Sequence, residues 1–236
     1  MTTERHIDFR EFPSRAELAA DLAARTADAL RSEIADGGAA TLAVSGGTTP
    51  KLFFQELSKA ELDWESVTIT LVDERWVPET EERSNARLVK QNLLQNNAAA
   101  ATFVPLVTDA GSPEGGLPEV QERVADLSGP LTVAIIGLGS DGHTASFFPE
   151  GDRLEDAIDP TGKALVVPMR APAAPEPRIT LTLPTLVAAG MLVLHIEGDD
   201  KKRVLDKALR GEDALEMPIR AVIAHSPRPL EVVWAK

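Results

Sequence analysis

Residues 131–142 read LTVAIIGLGSDG, and His143-Thr144-Ala145-Ser146-Phe147-Phe148-Pro149 follow directly. Leu131 to Ile136 is an unbroken apolar run of strand length. Such a run is the pattern of a strand buried on both faces of a parallel sheet. It stops at a glycine-rich loop that carries polar and ionisable side chains. Apolar strand followed by functional loop is the unit from which the rest of the chain is read.

The same alternation extends in both directions. Ser14 and Glu17 form a capping box. Leu18, Leu22, Ala29, Leu30 and Ile34 then keep a helical period up to the stop signal Asp36-Gly37-Gly38. Thr41 to Val44 reads as a short buried strand, and Pro50 opens a helix whose apolar face is Leu52, Phe53 and Leu57. Val67 to Val72 is a strand; Asn85 to Gln95 and Leu117 to Leu127 are helices. Ala164 to Val167, Met191 to Ile196 and Glu231 to Trp234 are further strands, and Asp199 to Leu209 is a helix. The expected fold is α/β: a Rossmann-like, open, mostly parallel sheet with helices on both faces. No shift of composition divides the chain, so a single domain over 1–236 is expected. The Pro-rich run Ala171 to Pro177 reads as a stiff loop at a sheet edge.

Composition narrows the function classes. The chain has 236 residues, a net charge of −13 and no cysteine. That excludes a disulfide framework, a thiolate nucleophile and a cysteine zinc site. The acidic balance and the lack of a Lys/Arg stripe argue against nucleic acid as a partner. No apolar run approaches the ~20 residues that span a bilayer, and the charged N-terminus MTTERHIDFREFP does not resemble a secretory signal. A cytoplasmic protein with no membrane partner is expected. No histidine pair has metal-ligand spacing beside carboxylates, so no catalytic metal is expected.

Ligands of open α/β sheets bind outside the carboxyl ends of the strands, and the residues there are the candidates. Ser45-Gly46-Gly47-Thr48-Thr49-Pro50 joins a strand to a helix. Its glycines allow close backbone approach, and its hydroxyls and helix start suit a phosphate group. The same residues would also make a plain capped turn. Asp73-Glu74-Arg75 ends the next strand. Three adjacent charges are rarely buried unless paired, and Arg75 could grip a phosphate or carboxylate in a planar fork or join a surface salt-bridge cluster. Ser84-Asn85 is either a helix cap or a further ligand contact.

The loop Gly137-Leu138-Gly139-Ser140-Asp141-Gly142 matches GxGxxG, but a dinucleotide site needs an acidic residue at the next strand end. Val167-Pro168-Met169-Arg170 stands there instead. His143, two residues after Asp141 in a loop that glycines can bend, is the acid/base candidate. Arg178 and Lys201 are either surface charges or cations that complete an anion site. His6, His195 and His225 read as structural or surface residues, and the tryptophans as packing.

Taken together, LAVSGGTTP (42–50), VDERWVP (72–78), SNARLVKQNLL (84–94), IIGLGSDGHTASFFP (135–149), RITLTLPTL (178–186) and IEGDDKKRVL (196–205) resemble the 6-phosphogluconolactonases. That family lies within a wider group that includes glucosamine-6-phosphate deaminase. The deaminases resemble DGHIAFNEP where this chain has DGHTASFFP, which points to the lactonase branch. The resemblance implies a lactone hydrolase acting on 6-phospho-D-glucono-1,5-lactone, without a cofactor and as a monomer or weak homo-oligomer. It implies His143 as catalytic base with Asp141 supporting it. Ser45, Gly46, Gly47, Thr48, Asp73, Arg75, Gly139, Arg178 and Lys201 are implied as substrate- and phosphate-binding residues. Lys201 follows Asp199-Asp200, a looser match to the family's G-E-G-K pattern. Alternatives are deaminase-type isomerase chemistry, against which the missing glutamate argues, and a sugar-phosphate sensor. A sensor of that kind carries a DNA-binding helix-turn-helix, for which there is no room before Ser14.

Overall fold

The computed structural model describes residues 7–127 and 129–236. In chain order the first half comprises β1 (Ile7–Phe12), α1 (Arg15–Gly37), β2 (Ala40–Val44), α2 (Lys51–Leu57), β3 (Val67–Leu71), β4 (Asp73–Arg75), α3 (Asn85–Asn92), β5 (Thr102–Phe103) and α4 (Pro113–Ala125). The second half comprises β6 (Val133–Ile136), α5 (Leu154–Ile158), β7 (Val166–Ala171), β8 (Ala174–Leu181), α6 (Leu183–Val187), β9 (Met191–Glu197), α7 (Gly198–Ala208), α8 (Ile219–His225) and β10 (Leu230–Ala235).

Seven strands form one sheet in the order β1-β10-β9-β6-β2-β3-β5, and every neighbouring pair is parallel. All residues of β2 and β6 are buried, as expected for central strands covered on both faces. From β2 the chain proceeds outward to β3 and β5; from β6 it proceeds the other way, to β9 and β10. The reversal places a crevice between the carboxyl ends of β2 and β6, where doubly wound sheets bind ligands.

Local chemistry accounts for the elements that frame this crevice. Ser14 Oγ accepts from the Glu17 backbone N–H (3.2 Å) and donates to the Glu17 carboxylate (3.0 Å). Gly38, in the left-handed region at φ 79°, closes α1 through its N–H to the Ile34 carbonyl. The stripe Leu18, Leu22, Ala23, Thr26, Ala27 and Leu30 faces the core.

Three expectations are corrected, and one strand is added. The strand at 164–167 does not join the parallel sheet. It belongs to β7, which with β4 and β8 builds a separate antiparallel sheet in the order β4-β8-β7. The Pro-rich run is not a loop: only its first residues turn, and the rest starts β8. Pro175 and Pro177 are tolerated because β4 pairing ends at Arg178 and β7 shifts register between Met169 and Ala171, so their missing N–H groups interrupt no regular ladder. Helix α4 begins at Pro113, capped by Ser112 Oγ on the Gly115 N–H, one turn before the expected start. Gly116 sits there because a Cβ would strike the Trp76 ring at 2.4 Å. Strand β1 was unforeseen. It is a six-residue edge strand beside β10, with Phe9 stacked on Trp234 at 6.4 Å.

Candidate active site

The loops after β2 and β6 face each other across a cavity of about 400 Å³, within the size range of small-molecule sites. Ser45, Gly46, Gly47, Thr48, Asp73, Arg75, Gly139, His143, Arg178 and Lys201 all line it. Asp141 does not; it stands behind His143. The residues singled out at four separate strand ends therefore converge on one space.

The loop 137–143 folds on itself. The Gly139 N–H donates to the His143 carbonyl at 2.8 Å, and the Gly142 N–H donates to the Gly139 carbonyl at 3.2 Å. Gly142 takes φ 85°, and a Cβ there would meet Met217 at 2.8 Å. A Cβ on Gly139 would lie 2.1 Å from His143 Nδ1 and 2.7 Å from Asp141 Oδ1. The glycine pattern thus makes room for a side-chain pair. His143 Nδ1 lies 2.5 Å from Asp141 Oδ1, which also accepts the His143 backbone N–H at 3.2 Å. Burial tends to raise the Asp141 carboxyl. The hydrogen bond and charge of His143 outweigh burial and hold it below the usual carboxylate range. An ionised Asp141 fixes the proton on Nδ1 and leaves Nε2 with a free lone pair, the tautomer a general base requires.

No helix follows this loop; the next, α5, begins at Leu154. That excludes the dinucleotide reading, because the fingerprint must open a helix onto a pyrophosphate. The sequence-level ground for excluding it was misplaced. The next strand of the parallel sheet is β9, and it does end in an acidic residue, Glu197.

The opposite wall is cationic. Arg178, on β8, is 6% exposed, its Nη1 4.0 Å from Asp73 Oδ2 and its Nη2 3.9 Å from Glu176. Burial pushes the guanidinium down, Asp73 draws it back up, and Arg75 adds to the depression. Arg75 donates from Nη1 to the Arg83 carbonyl at 2.5 Å. The Nε atoms of both Arg75 and Arg178 are buried without a protein partner. Asp73 is also held by Ser146 Oγ at 2.6 Å.

Glu74 is buried at the start of α3, where it accepts from the backbone N–H groups of Asn85 (2.8 Å), Ala86 (2.7 Å) and Arg75 (2.7 Å), and from Ser84 Oγ (3.1 Å). Burial raises its carboxyl despite these donors. Its role is to fix α3, so the three charges of 73–75 divide into two cavity residues and one anchor. Ser84 caps α3. Asn85 lines the cavity, donates to the Asp73 carbonyl at 2.9 Å, and lies so close to Gly46 that a Cβ there would sit 1.8 Å from its Oδ1.

Some cavity residues were not foreseen. Phe148 lies between the two walls, its ring 4.4 Å from the His143 ring and 5.4 Å from Arg178 Cζ. Arg83 lines the rim and pairs with Glu176 at 2.5 Å. His195, read as structural or surface, is 3% exposed and forms part of the cavity wall. Its place at the end of β9 was the available signal. His225 is exposed, and His6 lies outside the described residues.

A cavity that brings two arginines and a His–Asp pair together at the switch point of a doubly wound sheet is the layout of an α/β enzyme. The glucosamine-6-phosphate isomerase/6-phosphogluconolactonase family model matches residues 13–234, and the chain belongs to that family. It is 50% identical over 235 residues to a 6-phosphogluconolactonase of Rhizobium meliloti (strain 1021), with 100% of both chains covered. It is 48% identical to one from Mesorhizobium japonicum, over 97% of this chain and 95% of that one. A crystal structure of a 6-phosphogluconolactonase from Shewanella baltica OS155 superposes with a TM-score of 0.94 at 39% identity, over 98% of each chain. Among the described residues no helix is long and apolar enough to cross a membrane.

Proposed function

We propose that the protein hydrolyses 6-phospho-D-glucono-1,5-lactone to 6-phosphogluconate, the lactonase step of the oxidative pentose phosphate pathway. The observation that carries this reading is the His143–Asp141 pair, with His143 lining one cavity together with Arg75 and Arg178. The substrate has a phosphate at one end and an electrophilic carbonyl at the other, and the site offers a partner for each.

In this reading the phosphate rests on Gly46, Gly47 and Thr48, with Ser45 shaping the turn through its bond to the Ile135 carbonyl at 3.1 Å. Arg75, Arg178 and Lys201 supply positive charge, and Asp73 orients Arg178. Holding the phosphate fixes the carbonyl relative to His143, so binding energy remote from the reaction serves it. His143 Nε2 takes a proton from a water as its oxygen bonds to C1. When the C1–O5 bond breaks, the imidazolium returns that proton to the ring oxygen, which becomes the C5 hydroxyl. Such proton transfer contributes ~10²–10⁴-fold. Asp141 holds the ring and stabilises its charged form; Gly139 admits the pair. No step calls for a cofactor.

A monomer or weak homo-oligomer over 1–236 in the cytoplasm fits this reading. Nucleic acid has no place in it. The test is a coupled assay in which glucose-6-phosphate dehydrogenase makes the lactone in situ. Lactone should vanish faster than it hydrolyses spontaneously, and glucosamine 6-phosphate should not turn over. A rate equal to the spontaneous one would overturn the reading.

A further inference from the structure

Two carboxylates stand beside the Arg178 guanidinium, and neither is in contact with it. Asp73 Oδ2 lies 4.0 Å from Nη1, and Glu176 Oε2 lies 3.9 Å from Nη2, both beyond hydrogen-bond distance. Asp73 and Arg178 are each 6% exposed, and both line the cavity. A carboxylate and a guanidinium this near one another ordinarily close to about 2.7–2.9 Å. Here the oxygen nearest Nη1 already has a donor: Asp73 Oδ2 accepts from Ser146 Oγ at 2.6 Å. Ser146 is fully buried, so its hydroxyl acts on Asp73 and not on a ligand.

The turn after His143 carries Ser146 to this place. The Phe147 N–H donates to the Thr144 carbonyl at 2.9 Å, and Ala145 within the turn takes φ 48°. That region is uncommon for a residue with a Cβ, and such strain collects where one particular geometry is needed. The turn docks Ser146 on a single rung of the β4–β8 ladder. Its hydroxyl meets Asp73, its N–H donates to Thr180 Oγ1 at 3.3 Å, and Asp73 and Thr180 are register partners. Arg75 and Arg178 are the register partners at the other end of β4.

We infer that Ser146 is a positioning residue that keeps Arg178 available to an anion, by giving Asp73 the donor that the guanidinium would otherwise supply. The inference rests on the lactonase reading only for the identity of the ligand. The charge of Asp73 still draws Arg178 into the wall, while the serine bond holds the carboxylate short of contact. Without the hydroxyl, a buried carboxylate oxygen loses its donor, and such an oxygen is costly until it finds another. Nη1 of Arg178 stands 4.0 Å away. The pair then closes, and the donor it uses is lost to the ligand.

Ser146→Ala removes the hydroxyl and little else. Calorimetric titration of the full chain with 6-phosphogluconate should show Kd raised roughly tenfold, the lower end for a charge-assisted contact. KM should rise with it, while kcat changes far less. Inorganic phosphate, a probe that does not depend on the lactonase reading, should weaken likewise. In an Arg178→Ala background the same substitution should change Kd by less than about twofold, because its effect runs through that guanidinium. A merely structural serine would cost the same in both backgrounds. If the alanine variant does not fold, Ser146→Cys, whose thiol is a weaker donor, should raise Kd by a smaller factor, and again only where Arg178 is present. An unchanged Kd in the variant that folds, or equal losses in both backgrounds, would overturn the inference and leave the lactonase reading standing. A wild type that hydrolyses no lactone, while phosphate binding follows this pattern, would overturn the lactonase reading and leave the inference standing.

Discussion

The two walls of the cavity are built on opposite plans. The wall from β6 is local: Asp141 and His143 satisfy each other within three residues, and the glycines around them serve only to let them meet. The wall from β3, β4 and β8 is assembled at long range. Arg75 and Arg178 are neighbours through strand pairing, Glu176 pairs Arg83 from 93 residues away, and two buried donors have no partner. A proton carrier must keep one geometry through the reaction, so its partners are internal. A wall proposed to bind an anion must keep positive charge facing the cavity. Completeness marks the first, incompleteness the second.

Substitutions can break this division. The largest effect is expected at His143: His143→Ala should lower kcat by ~10²-fold or more, with the Kd for 6-phosphogluconate close to wild type. Near-normal kcat would show that the local wall is not the catalytic one. Arg178→Ala should act in reverse. It should weaken 6-phosphogluconate ~10–150-fold, the span of a charge-assisted contact, and unphosphorylated gluconate much less, as measured by calorimetry. Arg75→Ala should cost less, because its Nη1 is already engaged by the Arg83 carbonyl. Equal losses for both ligands would move the arginines away from the phosphate.

These contrasts also explain what could be read from the chain. β2, β6 and the loop 137–143 were legible because each is a local pattern: continuous apolar residues, then glycines around an Asp and a His. Arg178 and Lys201 could be nominated only as charges near strand ends, since their convergence depends on strand order. Phe148 and His195 were missed because both look like packing until the sheet is assembled. The β7–β8 hairpin was hidden by Pro175 and Pro177, which suit a strand only beside a bulge and beyond the end of β4.

Two smaller effects sharpen the comparison. Gly139→Ala inserts a methyl where His143 lies. It should lower kcat about tenfold, since small displacements of a reacting group are costly, and leave ligand affinity intact. Parallel losses in both would mean the two walls are coupled. Asp141 offers the mildest test. Its carboxyl is depressed in the fold, so its stabilising effect is complete above the ordinary carboxylate range and is lost as pH falls through the folded value. The Tm difference between wild type and Asp141→Asn should therefore shrink below about pH 4. With the side chain 33% exposed, the difference itself should not exceed about 2–4 °C. A difference that does not shrink as pH falls would assign it to shape and not to charge.

Phe148 has a consequence for charge. In the proposed reaction the His143 imidazole becomes a cation while the Arg178 guanidinium lies 5.4 Å from the same ring. Water between two such groups would screen them but would also compete for the proton. A phenyl ring excludes that water, and its electron-rich face attracts positive charge. The benzene ring is thus an apolar contact shared by both groups. In the proposed mechanism this contact would lower the repulsion between Arg178 and a protonated His143.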